Sequence, residues 1–181
     1  TEYGRLAREA SKLMKGVDPR IETILCGSSG RGMPTFGYWE WESLMEAYEQ
    51  VDYVSLHTYY DDHHGDMAAF LAEPENMGDF IREATSVCDA VKATKKSRKT
   101  MMLSFDEWNV WFPENNLIDR SPTWPELSTR ASDVYDMADV LCVGAMLLTL
   151  LEHAARVRIA CIAQVVNVLA PILTQAGGPA W

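Results

Sequence analysis

The sequence has little positive charge, no closely spaced cysteine pair and no apolar run long enough to cross a bilayer. Its 16 Lys and Arg are outnumbered by 26 Asp and Glu, which gives a net charge of −10. Nucleic acids and anionic membranes bind basic surfaces, so this balance disfavours both as partners. The longest apolar run, residues 140–151, falls short of the about 20 residues that a membrane-spanning helix needs. A neutral ligand, such as a sugar, is compatible with the charge.

The cysteines show neither a CxxC pair nor the spacing of zinc ligands. Cys26, Cys88, Cys142 and Cys161 are each flanked by apolar residues, which predicts buried thiols in a reducing compartment. The first residues also lack the basic start and the apolar core of a secretory signal peptide. We therefore expect a cytoplasmic protein.

Apolar residues alternate between helical and strand-like spacing along the chain. The spacing predicts helices at residues 6–17, 39–50, 76–99 (with Asn76 as the N-cap) and 132–155, and strands at residues 21–26, 51–56, 101–111 and 157–163. This alternation predicts parallel βα units in a single α/β domain, residues 1–181. A doubly wound open sheet is the alternative. This alternative is less favoured because the glycine-rich residues 27–32 match neither the dinucleotide fingerprint nor the P-loop. We interpret these residues as a flexible connection.

Each predicted strand ends in polar or aromatic residues, and parallel strands bring these ends to one face. They are Ser28 at the end of the first strand, His57 and Tyr59 at the end of the second, Asp106, Glu107 and Asn109 in the last part of the third, and Gln164 at the end of the fourth.

A carboxylate among aromatic side chains suits glycoside cleavage, and Glu107 is the candidate. Tyr59 could hold the carboxylate, Trp108 and Trp111 offer faces for a sugar ring, and Gln164 and Asn109 could bind sugar hydroxyls. The alternative is that Asp106 and Glu107 make structural ion pairs and that both tryptophans belong to the core.

Several segments together resemble one known family. The run Phe105-Asp106-Glu107-Trp108-Asn109-Val110-Trp111 resembles the nucleophile strand of the α-L-arabinofuranosidases of glycoside hydrolase family fifty-one. Residues 3–10 resemble that family's helix after the fourth barrel strand. Residues 26–29, 54–60 and 163–172 resemble its fifth, sixth and eighth strand regions, in order, and residues 177–181 also fit. The resemblance covers essentially the whole chain.

The resemblance implies a partial (β/α)8 TIM barrel, strands five to eight with their helices. It also implies a retaining α-L-arabinofuranosidase that needs no metal or other cofactor. Glu107 would be the nucleophile, Tyr59 its hydrogen-bond donor and His57 a neighbour of that pair. Trp111 would line the arabinose pocket and Gln164 would contact the sugar. The implied substrates are arabinose-containing polysaccharides and oligosaccharides, cleaved at their non-reducing ends.

The second carboxyl group that retaining hydrolysis needs, roughly 5 Å from the nucleophile, is not evident in the sequence. In the family it follows a Gly-Asn pair, and no Gly-Asn-Glu occurs here. Nothing fixes Glu40, Glu42, Glu114 or Glu126 opposite Glu107 as a substitute. We therefore expect the isolated chain to have little or no activity. We also expect it to need a missing N-terminal half-barrel or to form a homo-oligomer through its open edges.

Two other functions stay open, namely another retaining barrel glycosidase (an endoglucanase or a xylosidase) and a non-catalytic sugar-binding remnant. Residues 61–66, Asp-Asp-His-His-Gly-Asp, also suggest a cation site, although a solvated loop is the simpler interpretation.

Overall fold

The computed structural model describes residues 1–61, 65–112, 135–167, 169–174 and 177–180. Its elements alternate strictly: α1 (Glu2–Val17), β1 (Ile24–Leu25), α2 (Tyr38–Ala47), β2 (Tyr53–Tyr60), α3 (Met67–Lys95), β3 (Met102–Val110), α4 (Met137–Glu152) and β4 (Val157–Ile162). The predicted order of helices and strands is confirmed. Among the described residues, no helix is long and apolar enough to cross a bilayer.

The four strands form one parallel sheet in the order β1-β2-β3-β4. Right-handed crossovers between sequential parallel strands put the connecting helices on one side of the sheet. The contacts agree, because α1 packs on α2, α2 on α3 and α3 on α4. A doubly wound sheet reverses its strand order at a switch point, and these four strands show no reversal. The α/β class is confirmed, and the doubly wound alternative is wrong.

The core lies between the sheet and the helices. Alternate residues of the two central strands, Leu56 on β2 and Leu103 and Phe105 on β3, are completely buried. Phe80 of α3 packs edge-on against Phe105, with ring centroids 6.0 Å apart. The odd-numbered residues in the first half of β3 therefore face the helices.

The second strand extends further than the sequence predicted. β2 runs to Tyr60, so His57 and Tyr59 lie within this strand rather than after it. β3 ends at Val110, within one residue of the predicted end, and Glu107 lies inside it as the predicted range placed it.

The third helix begins at Met67, and the predicted N-cap at Asn76 is wrong. Asp66 caps the helix by accepting a hydrogen bond from the Ala69 amide at 3.1 Å. Asn76 lies inside the helix, where its amide donates to Glu73 at 2.7 Å. The helix also accommodates Pro74, which sequence rules treat as a helix break.

The glycine-rich loop after β1, which the sequence suggested as a flexible connection, makes several contacts with its surroundings. A side chain at Gly27 would clash with the Ser55 carbonyl oxygen of β2. Glu40 is fully buried and accepts the backbone N–H groups of Ser28 and Gly37, both at 2.7 Å. The loop is therefore fixed on both sides of its glycines.

Both flanks of the helix layer expose apolar side chains. Leu13 and Val17 of α1 and Leu148 and Leu151 of α4 are all exposed. Helical spacing predicted α1 correctly. However, no described residue covers the exposed Leu13 and Val17 of this helix. β1 and β4 likewise each have one edge without a strand partner among the described residues.

Candidate active site

A β-bulge in β3 sets the direction of Glu107. Phe105 pairs with Leu56 of β2, but the next pair is Glu107 with His57, so Asp106 is an extra residue. The pairing of β3 with β4 also contains one extra residue, between Phe105 and Trp108.

The bulge changes which residues of β3 face the core. Side chains of a regular strand alternate between two faces, so Glu107 would share the buried face of Leu103 and Phe105. Beyond the extra residue the buried apolar positions are instead Trp108 and Val110, while the buried Asn109 between them binds backbone carbonyls. The Glu107 side chain is 44% exposed. The bulge therefore moves the carboxylate from the core face to the polar face.

Tyr59 holds one oxygen of this carboxylate. Its hydroxyl donates to Glu107 Oε1 at 2.7 Å. Tyr59 pairs with Asn109, which makes Glu107 its diagonal neighbour on the same face. Burial of the phenol, followed by its hydrogen bond to the carboxylate, raises the pKa of Tyr59 well above its usual value of 10.0. The hydroxyl therefore remains a hydrogen-bond donor at neutral pH.

His57 lies between the two acidic side chains of the bulge. Its Nδ1 is 3.4 Å from Glu107 Oε2, and its Nε2 is 3.0 Å from Asp106 Oδ1. Ser55 Oγ donates to the same Asp106 oxygen at 2.8 Å. Sequence reasoning did not single out Ser55, although Ser55, His57 and Tyr59 alternate along β2 and therefore share one face. Asp106 was singled out only for its charge.

The two tryptophans have different environments. Trp108 is 3% exposed and packs in the core. This agrees with the alternative that Trp108 is a core residue and not a face for a sugar ring. Trp111 is half-buried and lies edge-on to Tyr59, with ring centroids 5.5 Å apart. Of these two tryptophans, Trp111 is the one that borders Tyr59 and, through it, Glu107.

Asn109 is committed to backbone groups rather than open to a ligand. It is 3% exposed, and its Nδ2 donates to the carbonyls of Ala163 and Leu169 at 2.9 and 2.5 Å. Its Oδ1 accepts the Val110 amide at 2.8 Å. The geometry corrects the expectation of a sugar contact, because Asn109 holds the chain that follows β4.

Gln164 follows β4 within the segment that Asn109 holds. Its backbone amide donates to the Leu169 carbonyl at 3.3 Å. Its side chain is exposed and makes no hydrogen bond within the described residues, so its amide is available to a ligand.

The candidate second carboxylates do not complete the site. Glu40 is buried and bonded to backbone, as described above. Glu42 lies 3.9 Å from the chain's terminal amine. Glu114 and Glu126 lie outside the described residues.

The suggested cation site lies partly outside the described residues. Residues 62–64 lie outside the described residues, and Asp66 is the N-cap of α3. The described part of the chain contains no group of three His, Cys, Asp or Glu side chains that could hold a metal ion.

Comparisons with known proteins agree on one family. The model of the α-L-arabinofuranosidase C-terminal domain matches residues 106–181. An intracellular exo-α-(1→5)-L-arabinofuranosidase of Halalkalibacterium halodurans is 53% identical over 180 residues, which cover 99% of this chain and 36% of the relative. The structure of AbfB, a family 51 α-L-arabinofuranosidase of Bifidobacterium longum, is 39% identical, with a TM-score of 0.90 over 99% of this chain and 37% of that one. The chain belongs to glycoside hydrolase family fifty-one.

Another relative gives the same coverage. The intracellular exo-α-(1→5)-L-arabinofuranosidase 1 of Bacillus subtilis is 49% identical. The match covers 99% of the chain described here and 36% of the relative. The chain thus spans little more than a third of the length of these two relatives.

Proposed function

We propose that this family fifty-one chain carries the nucleophile of a retaining glycoside hydrolase. The hydrolase removes non-reducing terminal α-L-arabinofuranosyl residues from arabinose-containing polysaccharides and oligosaccharides. The observation that carries the proposal is the geometry of Glu107, whose Oε1 is held by Tyr59 and whose Oε2 faces His57. The names of the relatives, exo-α-(1→5)-L-arabinofuranosidases, supply the sugar and the mode of attack.

In this mechanism Glu107 attacks the anomeric carbon as the bond to the leaving oxygen breaks. A covalent glycosyl-enzyme forms, and water then hydrolyses it with net retention. A second carboxyl group protonates the leaving oxygen and afterwards takes a proton from the water. Tyr59 and His57 orient the nucleophile, Trp111 borders the sugar and the Gln164 amide binds sugar hydroxyls.

We propose that the second carboxyl group lies outside these 181 residues. Glu40 is committed to backbone amides, and the sequence contains no Gly-Asn-Glu. The four strands would then be strands five to eight of a (β/α)8 barrel that forms one catalytic domain. The sequential strand order, the single helix layer, the open sheet edges and the exposed apolar flanks support this arrangement. Further chain, or a second copy, supplies the remaining strands.

We also propose a cytoplasmic location. The two relatives described above are named intracellular, and the four cysteines are free thiols, as is usual in a reducing compartment.

The test compares the 181-residue chain with the protein expressed from its complete open reading frame. Each is assayed on aryl α-L-arabinofuranoside, aryl β-D-xylopyranoside and aryl β-D-glucopyranoside. We expect turnover of the arabinofuranoside by the complete protein and little or none by the isolated chain. Preference for a pyranoside would favour another retaining glycosidase, and saccharide binding without turnover by the complete protein would favour a sugar-binding remnant.

The nucleophile is tested by Glu107→Gln in the complete protein. We expect turnover to fall by roughly three orders of magnitude or more, with saccharide binding retained. A Glu107→Gln protein of undiminished activity would overturn the proposal.

A further inference from the structure

We propose that Asp106 is a positioning residue for Glu107. It is the extra residue of the β3 bulge, and its contacts with Ser55 and His57 hold the bulge in the form that presents Glu107 on the polar face. This inference rests on the proposed nucleophilic role of Glu107.

The bulge is unusual because β2 and β3 are parallel. Bulges are found mainly in antiparallel pairs, and the extra residue disrupts the ladder locally. Here the side chain of the extra residue binds the neighbouring strand itself. Asp106 Oδ1 accepts from Ser55 Oγ at 2.8 Å and lies 3.0 Å from His57 Nε2. Both partners belong to β2, the strand against which the bulge forms.

The alternation of side chains along β3 shows how the bulge affects the position of Glu107. Leu103 and Phe105 are buried against the helices, and in an unbroken alternation Glu107 would follow them. A carboxylate on that face would be buried among apolar side chains instead of facing a substrate. One extra residue is the smallest insertion that moves the following side chains to the opposite face of the strand. The contacts of Asp106 with β2 fix this extra residue at the position immediately before Glu107.

The imidazole of His57 connects the bulge to the nucleophile. With Nε2 turned towards Asp106, Nδ1 is directed at Glu107 Oε2, 3.4 Å away. Tyr59, also on β2, holds Oε1. Both oxygens of Glu107 are therefore oriented from β2. Loss of the Asp106 contacts weakens the His57 support, because among the described residues Nε2 then keeps only its 3.1 Å contact with Ser55 Oγ.

Loss of this support should lower kcat and leave KM nearly unchanged. A displacement of about 1 Å in a reacting group can cost about 100-fold in rate, while Trp111 and Gln164 still meet the sugar. We therefore expect Asp106→Ala to lower kcat about 100-fold with KM within about threefold. Asp106→Asn keeps an acceptor oxygen for Ser55 and His57, so it should restore kcat to within about tenfold of the wild type. Ser55→Ala removes one tether and should lower kcat about fivefold.

The experiment measures kcat and KM of the protein from the complete open reading frame on an aryl α-L-arabinofuranoside. Melting temperatures are recorded for each variant. Asp89→Asn is the matched control, because Asp89 is an exposed carboxylate on α3 that pairs with Arg156 at 2.8 Å. We expect this control to leave kcat and KM unchanged.

Glu107→Gln, measured in parallel, separates the two claims. If it keeps full turnover, the proposed function fails. If it is inactive while Asp106→Ala and Ser55→Ala keep kcat within twofold, or raise only KM, this inference alone is overturned. If Asp106→Ala does not fold, Ser55→Ala tests the inference by itself. A loss in kcat at constant KM then supports it, and an unchanged kcat overturns it.

Discussion

Replacing Tyr59 by Phe removes one oxygen atom from the site and leaves the ring. The hydroxyl donates to Glu107 Oε1 at 2.7 Å, which is a short bond to a carboxylate. The edge-on contact of the ring with Trp111 does not depend on the hydroxyl. The change therefore isolates the contribution of this hydrogen bond to the nucleophile.

The expected effect follows from the strength of such bonds. A hydrogen bond to a charged group contributes about 1.5–3 kcal/mol, and about 1.4 kcal/mol corresponds to tenfold in rate. We therefore expect Tyr59→Phe to lower kcat about 10- to 100-fold, because Glu107 attacks from a less fixed position. KM should change little, since the bond lost is internal to the protein.

The assay is hydrolysis of an aryl α-L-arabinofuranoside by the protein from its complete open reading frame. Tyr53→Phe is the control on the same strand, because the Tyr53 hydroxyl donates to Glu22 Oε2 at 2.8 Å on the exposed surface. Tyr53→Phe should leave kcat within about twofold, as expected for an exposed bond. A Tyr59→Phe enzyme as fast as this control would show that the Tyr59 hydroxyl does not position Glu107.

Three further predictions concern stability and reactivity. The free energy of unfolding should fall as pH rises above about 10, because the raised pKa of Tyr59 keeps it protonated in the folded state while the unfolded chain ionises. Tyr59→Phe should make that fall shallower in urea titrations, and an unchanged slope would contradict this. Asn109→Ala should lower the free energy of unfolding by about 1–3 kcal/mol, because the carbonyls of Ala163 and Leu169 lose their hydrogen-bond donor. It should also raise KM, because these carbonyls hold the segment that carries Gln164. An unchanged urea midpoint and an unchanged KM would count against this prediction. Only Cys88 and Cys142 are buried, so the expectation of four buried thiols is wrong for Cys26 and Cys161, which are exposed. Burial raises the pKa of the Cys88 and Cys142 thiols to about 12, so a thiol reagent should modify Cys26 and Cys161 in the folded protein and all four cysteines after unfolding. Four fast reactions before unfolding would disprove this.

Patterns that depend on neighbours along the chain were sufficient to predict the elements. Helical and strand-like spacing gave the order of helices and strands and the parallel sheet. The resemblance of the run around Glu107 then led to the family that the comparisons identify. The end of β2 was less accurate, because its pairing with β3 continues beyond the apolar run as far as Tyr60.

The bulge could not be predicted from the sequence, because it depends on the register between two strands that are distant along the chain. Alternation from Leu103 and Phe105 would even have assigned Glu107 to the core face. Asn109 shows the same limit. A polar residue near a strand end resembles a ligand for substrate, and only the course of the chain after β4 reveals the two carbonyls that it binds.

The central claim is that Glu107 forms the covalent intermediate. The most direct measurement incubates the protein from the complete open reading frame with an activated aryl α-L-arabinofuranoside, quenches it in acid and maps its peptides by mass spectrometry. We predict one pentosyl adduct, on the peptide that contains Glu107 and within it on that residue, and no adduct in Glu107→Gln. An adduct on Asp106 or another residue, or hydrolysis with inverted anomeric configuration, would contradict the account.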